Sequence, residues 1–522
     1  MKLANKRILV VGMARSGVAA AQLLLENGAT PVLSDRKPED AFGGELDALR
    51  GTACEFRLAE DPVRLLSEVD GLVISPGVPI DAPVVLAAKE QGIPMVGELE
   101  LAWSLLQGEV LAISGTNGKT TVSNLLADTL EKAGHRVLIN RAGSNVASGI
   151  ATALLKGCDL AGRVKDYDMA VLEVDERSSV RVYPYITPDY IAVTNLFRDS
   201  IMRNAHADFI ADIISRSVPA ASKLVLNADD LISCGLAPEN PRVYFGIDRL
   251  PTDTVECVNH INDVRICPKC AGKLRYEYRR YHHIGRAVCQ DCGFHSPDSD
   301  YLATNVDIPG GAMTIREDGK EYPYTLICDS VFNVYNMVTV IAVLRQLGYA
   351  HDEIARVLSQ SAITESRHNV ERAGNVTLVR EMAKDKNALA CSRVFQYIAS
   401  RPGKKEVMLL MNSLTDVPHW SENVCWFYDT DFEYLADESI VRVVCTGLRC
   451  EDYKLRCLMA GVPEDRLACA VDEHDAAAMM AYEPGDELYV LYGTDTLELA
   501  YQVYDQMKDI ARSRAAEQEV QA

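Results

Sequence analysis

Residues Gly115-Thr116-Asn117-Gly118-Lys119-Thr120-Thr121 combine side-chain types and spacing that can hold nucleotide phosphates. Glycines at 115 and 118 let the backbone curl so that its N–H groups face phosphate oxygens. Lys119 supplies a point charge to the β- and γ-phosphates, and the Thr120 hydroxyl can ligate Mg²⁺. Ile113 rules out the longer G-x-x-x-x-G-K-[ST] spacing, so the loop must be judged by its flanks. Residues 110–114 form a short apolar run and 121–133 have amphipathic helical spacing, giving strand, glycine loop and helix in order. Glu173 closes a second apolar run over 169–173, where a strand-end carboxylate can bind the metal that accompanies a nucleotide.

A second constellation is Cys267-Pro268-Lys269-Cys270 and Cys289-Gln290-Asp291-Cys292, two C-x-x-C knuckles separated by 18 residues. Thiolates so spaced can close a tetrahedral Zn²⁺ site, and four cysteines leave no position for water, so the expected zinc is structural. His282 and His283, between the knuckles, read as solvated ribbon residues rather than ligands. The other eleven of the fifteen cysteines are scattered, which fits a reducing compartment.

These residues need elements to position them, and 522 residues exceed the roughly 250–300 that one core can serve. The pattern predicts an α/β protein of three domains. A Rossmann-like N-terminal domain spans 1–107, a phosphate-loop ATPase domain with an inserted zinc ribbon at about 262–297 spans 108–360, and a Rossmann-like C-terminal domain spans 361–522. In the first, runs at 8–11 and 31–34 flank a helix at 16–26, a β-α-β opening whose turn Gly12-Met13-Ala14-Arg15-Ser16-Gly17 can receive a phosphate at the helix start. A dinucleotide fingerprint wants glycine at position 14, and Ala14 crowds a pyrophosphate, which disfavours NAD and a dehydrogenase.

Hydrophobic residues at 48% and charged residues at 24% describe an ordinary globular enzyme. A net charge of -21 argues against nucleic acid as partner. No run approaches the ~20 apolar residues of a membrane span, and no cleavable leader is evident, so a cytoplasmic protein is expected.

The first hundred residues, through Gly12–Gly17, Ser34-Asp35-Arg36, Gly71-Leu72-Val73-Ile74-Ser75-Pro76-Gly77 and the run from Ile93 to Leu101, resemble the UDP-binding domain of MurD, the ligase that adds D-glutamate to UDP-N-acetylmuramoyl-L-alanine. That resemblance implies a uridine diphosphate pocket lined by Arg15, Ser16, Asp35, Arg36, Ser75 and Gly77. The phosphate loop is similar to that of the Mur ligase and folylpolyglutamate synthase superfamily. Asn140–Asn145, Glu173-Val174-Asp175-Glu176, Thr194-Asn195-Leu196-Phe197-Arg198-Asp199, Leu226–Asp230, Phe332-Asn333-Val334-Tyr335-Asn336 and Val424–Glu433 resemble MurT, which activates a peptidoglycan-precursor carboxylate for amidation by ammonia.

By this resemblance Asn333 and Asn336 would contact adenine. The inserted zinc ribbon, and the lack of lysine over 205–216 where many Mur ligases carry a carbamylated one, favour MurT over MurD. Lys384, in a K-x-x-N with Asn387, would stabilise the tetrahedral intermediate, and Arg367 would contact phosphates. MurT also carries an acidic loop that serves a GatD-like glutamine amidotransferase partner. Here the corresponding segment, 414–423, is longer, with Asp416 as the candidate and Asn423 where a second aspartate is expected.

The implied reaction is ATP- and Mg²⁺-dependent conversion of a precursor carboxylate to an acyl phosphate and then an amide, giving D-isoglutamine from D-glutamate. The MurD-like front implies instead a UDP-linked substrate and D-glutamate as nucleophile. The MurT-like body implies a lipid-linked muramoyl peptide. A catalytically silent nucleotide-binding scaffold for cell-wall enzymes is the alternative of another class.

Overall fold

The computed structural model describes residues 3–13, 15–42, 44–75, 77–79, 81–103, 108–141, 144–156, 167–199, 206–328, 330–361, 368–383, 386–411, 424–493 and 495–521. The chain is mixed α/β with several largely parallel sheets, and it divides into two compact units. One comprises 1–196, 208–250 and 296–363, and the other 197–207, 251–295 and 364–522.

In the first unit, β1 (Arg7–Val11), β2 (Thr30–Ser34), β3 (Glu55–Phe56), β4 (Gly71–Ile74) and β5 (Met95–Gly97) form a parallel sheet in the order β3-β2-β1-β4-β5. The order reverses beside β1, which leaves a crevice at the carboxyl ends of β1 and β4, where α/β sheets bind ligands. A second sheet contains β6 (Glu109–Ser114), β7 (Val137–Ile139), β8 (Met169–Glu173), β9 (Tyr190–Val193), β10 (Lys223–Asn227) and β11 (Arg242–Ile247). After β12 (Leu274–Tyr281) and β13 (Ile284–Cys289), which belong to the other unit, β14 (Tyr301–Asp307), β15 (Ala312–Glu317) and β16 (Lys320–Thr325) complete it. Its order is β16-β15-β14-β11-β10-β9-β6-β8-β7, parallel from β14 to β7 and ending in an antiparallel meander.

Near-continuous apolar strands such as Val110–Ile113 and Leu224–Leu226 are buried because helices cover both faces of a parallel sheet. One core runs from Leu3 through Leu24 and Leu154 to Ala237, so the helices Arg15–Glu26 and Ala147–Lys156 pack the two sheets into a single body. The strand and helix expected around the phosphate loop are present, with the helix spanning Lys119–Lys132.

In the second unit, β17 (His368–Ala373), β18 (Val376–Met382), β19 (Lys405–Leu410), β20 (Ile440–Thr446), β21 (Leu467–Ala470) and β22 (Glu487–Tyr492) form a sheet in the order β17-β18-β22-β19-β20-β21, antiparallel only at β17. The hairpin β12–β13 carries the cysteine knuckles and clusters with this sheet, not with the sheet into which its sequence is inserted. His282 and His283 at the hairpin turn are 1% and 0% exposed, which corrects the expectation of solvated residues. The turn packs on Phe197, with the His283 ring 4.5 Å from the Phe197 ring, and His282 Nδ1 lies 3.2 Å from the Ile261 carbonyl. Burial, assisted by nearby Arg393, holds the His282 pKa down to about 3, so its ring is neutral.

Candidate active site

The phosphate loop leaves β6 at the point where strand order reverses between β9 and β8. Gly115 (φ +122°) passes so close to Thr194 that a Cβ would sit 2.3 Å from its hydroxyl, and a Cβ on Gly118 (φ +85°) would sit 2.3 Å from Asn336 Oδ1. Only glycine fits both the left-handed backbone and the close approach. The loop is braced from β9: Thr116 N donates to the Asn195 carbonyl (2.8 Å), Asn117 N to Asn195 Oδ1 (3.2 Å), and Thr194 Oγ1 to the Asn117 carbonyl (2.6 Å). Asn117 Nδ2, on the same loop, is buried without a partner among the described residues, a donor still available to an acceptor.

Lys119 opens the helix, and its Nζ donates to the Gly115 carbonyl and to Glu176 Oε1, both at 3.1 Å. Burial alone would depress its ammonium pKa, but Glu176, Asp175 and Glu173 outweigh it and raise it, so Lys119 is charged. Burial raises the carboxyl pKa of Glu176, against the pull of Lys119. A nucleotide phosphate would therefore replace a carboxylate that holds the lysine in place. Thr120 Oγ1 donates to Glu173 Oε1 (3.0 Å), as does Asn145 Nδ2 (2.9 Å). Asn140 locks the Glu173 backbone, giving and receiving hydrogen bonds of 2.8 Å. A hydroxyl and a carboxylate thus meet one residue from Lys119, a donor pair of the kind that suits a hard cation. Asn336 Nδ2 donates to Asn333 Oδ1 (2.9 Å), and both belong to the helix Val331–Gln346, whose Asn336 braces Gly118.

The five-stranded sheet holds a cavity of 570 Å³ whose walls include Gly12, Asp35, Arg36, Ser75, Gly77 and Val78. Asp35 is committed to the loop backbone: it accepts from Met13 N (2.8 Å) and Lys37 N (3.0 Å). Ser16 is buried beside Glu98, a fully buried carboxyl that the sequence reading did not single out. Burial pushes Glu98 up to about 7, with the Ser16 and Ser75 hydroxyls opposing the rise. Arg15 starts the helix, but its side chain, with Arg367, Lys384 and Asp416, lies outside the described residues.

In the second unit Arg198 pairs with Asp263 and, at 3.3 Å, with Asp429, while Asn387 Nδ2 donates to Asp199 Oδ1 (2.8 Å). Arg198, Asp199, His206, Lys386, Trp426 and Asp429 line a cavity of 210 Å³. The segment Trp426–Glu433 secures the base of the cysteine hairpin. Asp431 accepts from His260 N (2.7 Å) and Asn259 Nδ2 (2.9 Å), and Glu433 lies 2.7 Å from His260 Nε2 and 2.9 Å from Arg456. At the tip, Cys267 and Cys292 Sγ are 3.7 Å apart, Cys270 and Cys289 Sγ 3.4 Å apart, and all four lie within 4.8 Å of one another.

A braced glycine loop, a charged lysine and a hydroxyl–carboxylate pair at a strand-order reversal define a nucleotide-phosphate-binding α/β enzyme. Three family models match it: the MurD-like N-terminal domain of Mur ligases over 6–97, the Mur ligase middle domain over 113–248 and the MurT ligase C-terminal domain over 385–495. The MurT subunit of lipid II isoglutaminyl synthase (glutamine-hydrolyzing) from Staphylococcus aureus is 30% identical over 356 residues, covering 68% of this chain and 78% of that protein. Its Streptococcus pneumoniae counterpart is 29% identical over 367 residues, 69% and 78% of the two chains. A UDP-N-acetylmuramoylalanine–D-glutamate ligase from Koribacter versatilis is 35% identical over 204 residues, 39% of this chain and 43% of that one. The fold is that of a pseudomurein peptide ligase type C from Methanothermus fervidus (TM-score 0.65, 19% identity, 96% of this chain and 100% of the other) and of MurF from Acinetobacter baumannii (0.60, 15%, 92% and 90%). The chain belongs to the Mur ligase family, on its MurT branch. It is an ATP-dependent, amide-forming ligase.

Proposed function

We propose that this ligase amidates the D-glutamate carboxylate of a muramoyl peptide, giving D-isoglutamine, and that its substrate carries uridine diphosphate. A carboxylate oxygen attacks the γ-phosphorus of ATP and ADP leaves. Ammonia then attacks the acyl carbon, phosphate departs, and the nitrogen loses a proton. The observation that carries the first step is Thr120 Oγ1 3.0 Å from Glu173 Oε1, beside the charged Lys119. These two would hold Mg²⁺, which would neutralise phosphate charge as the γ-phosphoryl transfers. Lys119, the loop N–H groups and Asn117 Nδ2 would hold the phosphates, with Asn333 and Asn336 toward adenine. Arg367 would add charge to the phosphoryl group, Lys384 would stabilise the tetrahedral intermediate, and Asp416 would serve a glutaminase partner supplying ammonia.

The UDP-linked choice rests on the 570 Å³ cavity, which keeps the loop after β1, Asp35 and Arg36 after β2, and Ser75 and Gly77 after β4 around one hollow. We further propose three domains corresponding to the three large sheets, and a cytoplasmic location; no helix among the described residues is long and apolar enough to cross a membrane. The four cysteines fit a structural Zn²⁺: Zn–S bonds of about 2.3 Å place tetrahedral sulfurs ~3.8 Å apart, close to the 3.4 and 3.7 Å observed.

Incubation with ATP and Mg²⁺, and with ammonia plus UDP-muramoyl-L-alanyl-D-glutamate, ammonia plus lipid II, or D-glutamate plus UDP-muramoyl-L-alanine, read by product mass, tests the reading. A one-oxygen-for-NH exchange on the UDP-linked peptide is expected. Product from lipid II alone would overturn the UDP-linked choice. Product only from UDP-muramoyl-L-alanine plus D-glutamate would overturn amidation in favour of the MurD-type reaction. ATP binding without turnover on any of these would favour a scaffold.

A further inference from the structure

Four cysteines that lie apart in the sequence meet in the second unit. Cys445 and Cys469 are register partners on the adjacent parallel strands β20 and β21, so their side chains share a face. The crossover helix Cys450–Met459 carries Cys450 at its first residue and Cys457 two turns on, on the same side of the helix. Cys445, Cys450 and Cys457 are buried and Cys469 is half-buried. Cys445 neighbours Cys457 and Cys469, and Cys450 neighbours Cys469. Cys469 Sγ also lies 3.6 Å from the Cys450 carbonyl.

One side of this array faces water. There the exposed Glu451 joins Cys450 and Cys469, and one carboxylate oxygen and the two sulfurs lie within 4.8 Å of one another. Atoms that close can share an ion without backbone movement, since Zn–S bonds of about 2.3 Å and Zn–O bonds of about 2.0–2.2 Å put ligand atoms some 3.4–3.8 Å apart. Two thiols with a single carboxylate select a thiophilic divalent cation over Mg²⁺ or Ca²⁺, which require oxygen ligands. Of the cations at the start of this helix, Arg449 pairs with Asp452 at 3.0 Å and Lys454 with Glu464 at 3.5 Å.

We propose that Cys450, Glu451 and Cys469 form a second metal site, for Zn²⁺ or an ion of like softness, distinct from the hairpin knuckles. Binding releases the two thiol protons and leaves the fourth coordination position to solvent, unlike the closed four-cysteine set. Cys445 is the register partner of Cys469 on the adjacent strand and is itself buried. The ion pins the start of the crossover helix to β21. That helix also carries Tyr453, whose hydroxyl donates to the Met411 carbonyl (2.7 Å), and Arg456, which holds Glu433.

The test titrates the full-length reduced chain, stripped of metal, with Cd²⁺, following the thiolate-to-metal absorbance and the ions bound per chain. The Cys450→Ser/Cys469→Ser variant is expected to bind one ion fewer than the parent. Removing even an outer-shell partner weakens metal sites about 10–100-fold, so Glu451→Gln should weaken that same ion at least roughly tenfold. Equal uptake by parent and double variant overturns the site and leaves the thiols as core packing. Because Glu451 is exposed, its variant decides the matter should the double variant fail to fold: unchanged affinity for every ion would refute the proposal.

Discussion

Glu98, buried beside the Ser16 and Ser75 hydroxyls, provides a measurement of the electrostatics next to the five-stranded sheet. Its carboxyl is fully buried and its pKa rises from an ordinary 4.5 to about 7, chiefly through burial. The folded state therefore prefers the protonated acid. The stability this confers is fully present below about pH 4.5 and is lost as pH rises to about 7, because the unfolded chain ionises first. At about 1.36 kcal/mol per pH unit the interval amounts to about 3 kcal/mol, nearly all of it missing at pH 8 and only about 1 kcal/mol missing at pH 5. Glu98→Gln replaces the acid with a neutral group of the same shape, so it should stabilise the sheet by about 3 kcal/mol at pH 8 and about 1 kcal/mol at pH 5. Cys54, the single cysteine in residues 1–107 and half-buried in the fold, gives the assay: the urea concentration at which its alkylation, quantified by peptide mass, rises above the native level reports opening of this sheet. Comparing variant with parent at each pH cancels the pH dependence of the labelling chemistry. An equal gain at both pH values, or no gain at pH 8, would refute the assignment of a buried, neutral Glu98.

The Gly115–Thr121 loop and its carboxylate partners yield two further outcomes. Lys119→Ala strands the buried Glu176 and should both destabilise the chain and reduce ATP-dependent phosphate release by about 10²–10³-fold; adding Glu176→Gln should restore the melting temperature but not the rate. Glu173→Gln preserves the hydrogen bond from Thr120 yet removes the metal charge, so the Mg²⁺ concentration for half-maximal phosphate release should rise at least roughly tenfold, with secondary structure unchanged by circular dichroism. At the base of the cysteine hairpin, Arg280 and Asp253 form a bidentate ion pair whose side chains are 2% and 1% exposed. Arg280→Ala should cost about 3–5 kcal/mol in chemical denaturation, and Arg280→Met with Asp253→Leu should recover most of it, because the first leaves an uncompensated buried charge and the second leaves none.

The phosphate loop was legible because its chemistry is local: seven consecutive residues with a strand before and a helix after. The strand-end position of Glu173 was legible for a similar reason, since a strand end is visible in a run of apolar residues. What braces the loop was not, because Thr194 and Asn195 act on Asn117 across some 78 positions and nothing in their spacing announces it. Two histidines between zinc knuckles read as polar and solvated, yet the side to which the hairpin returns buried both. The cysteines of the C-terminal sheet, at intervals of five, seven and twelve, have no metal-site spacing; a β-α-β wrap brings them together, and a linear pattern does not display that wrap. Asp429, Asp431 and Glu433 stood out as a family signature without a task, and their task became visible only with Arg198, His260 and Arg456 beside them.

That last arrangement has an evolutionary corollary. Asp431 and Glu433 spend their charge on His260 and on the chain leading into the cysteine hairpin, not on nucleotide. Relatives that have lost the hairpin by deletion should be free to lose both acids, and relatives that keep it should keep them even where ligase activity has decayed. In a genome survey the motif would then count hairpins and not enzymes.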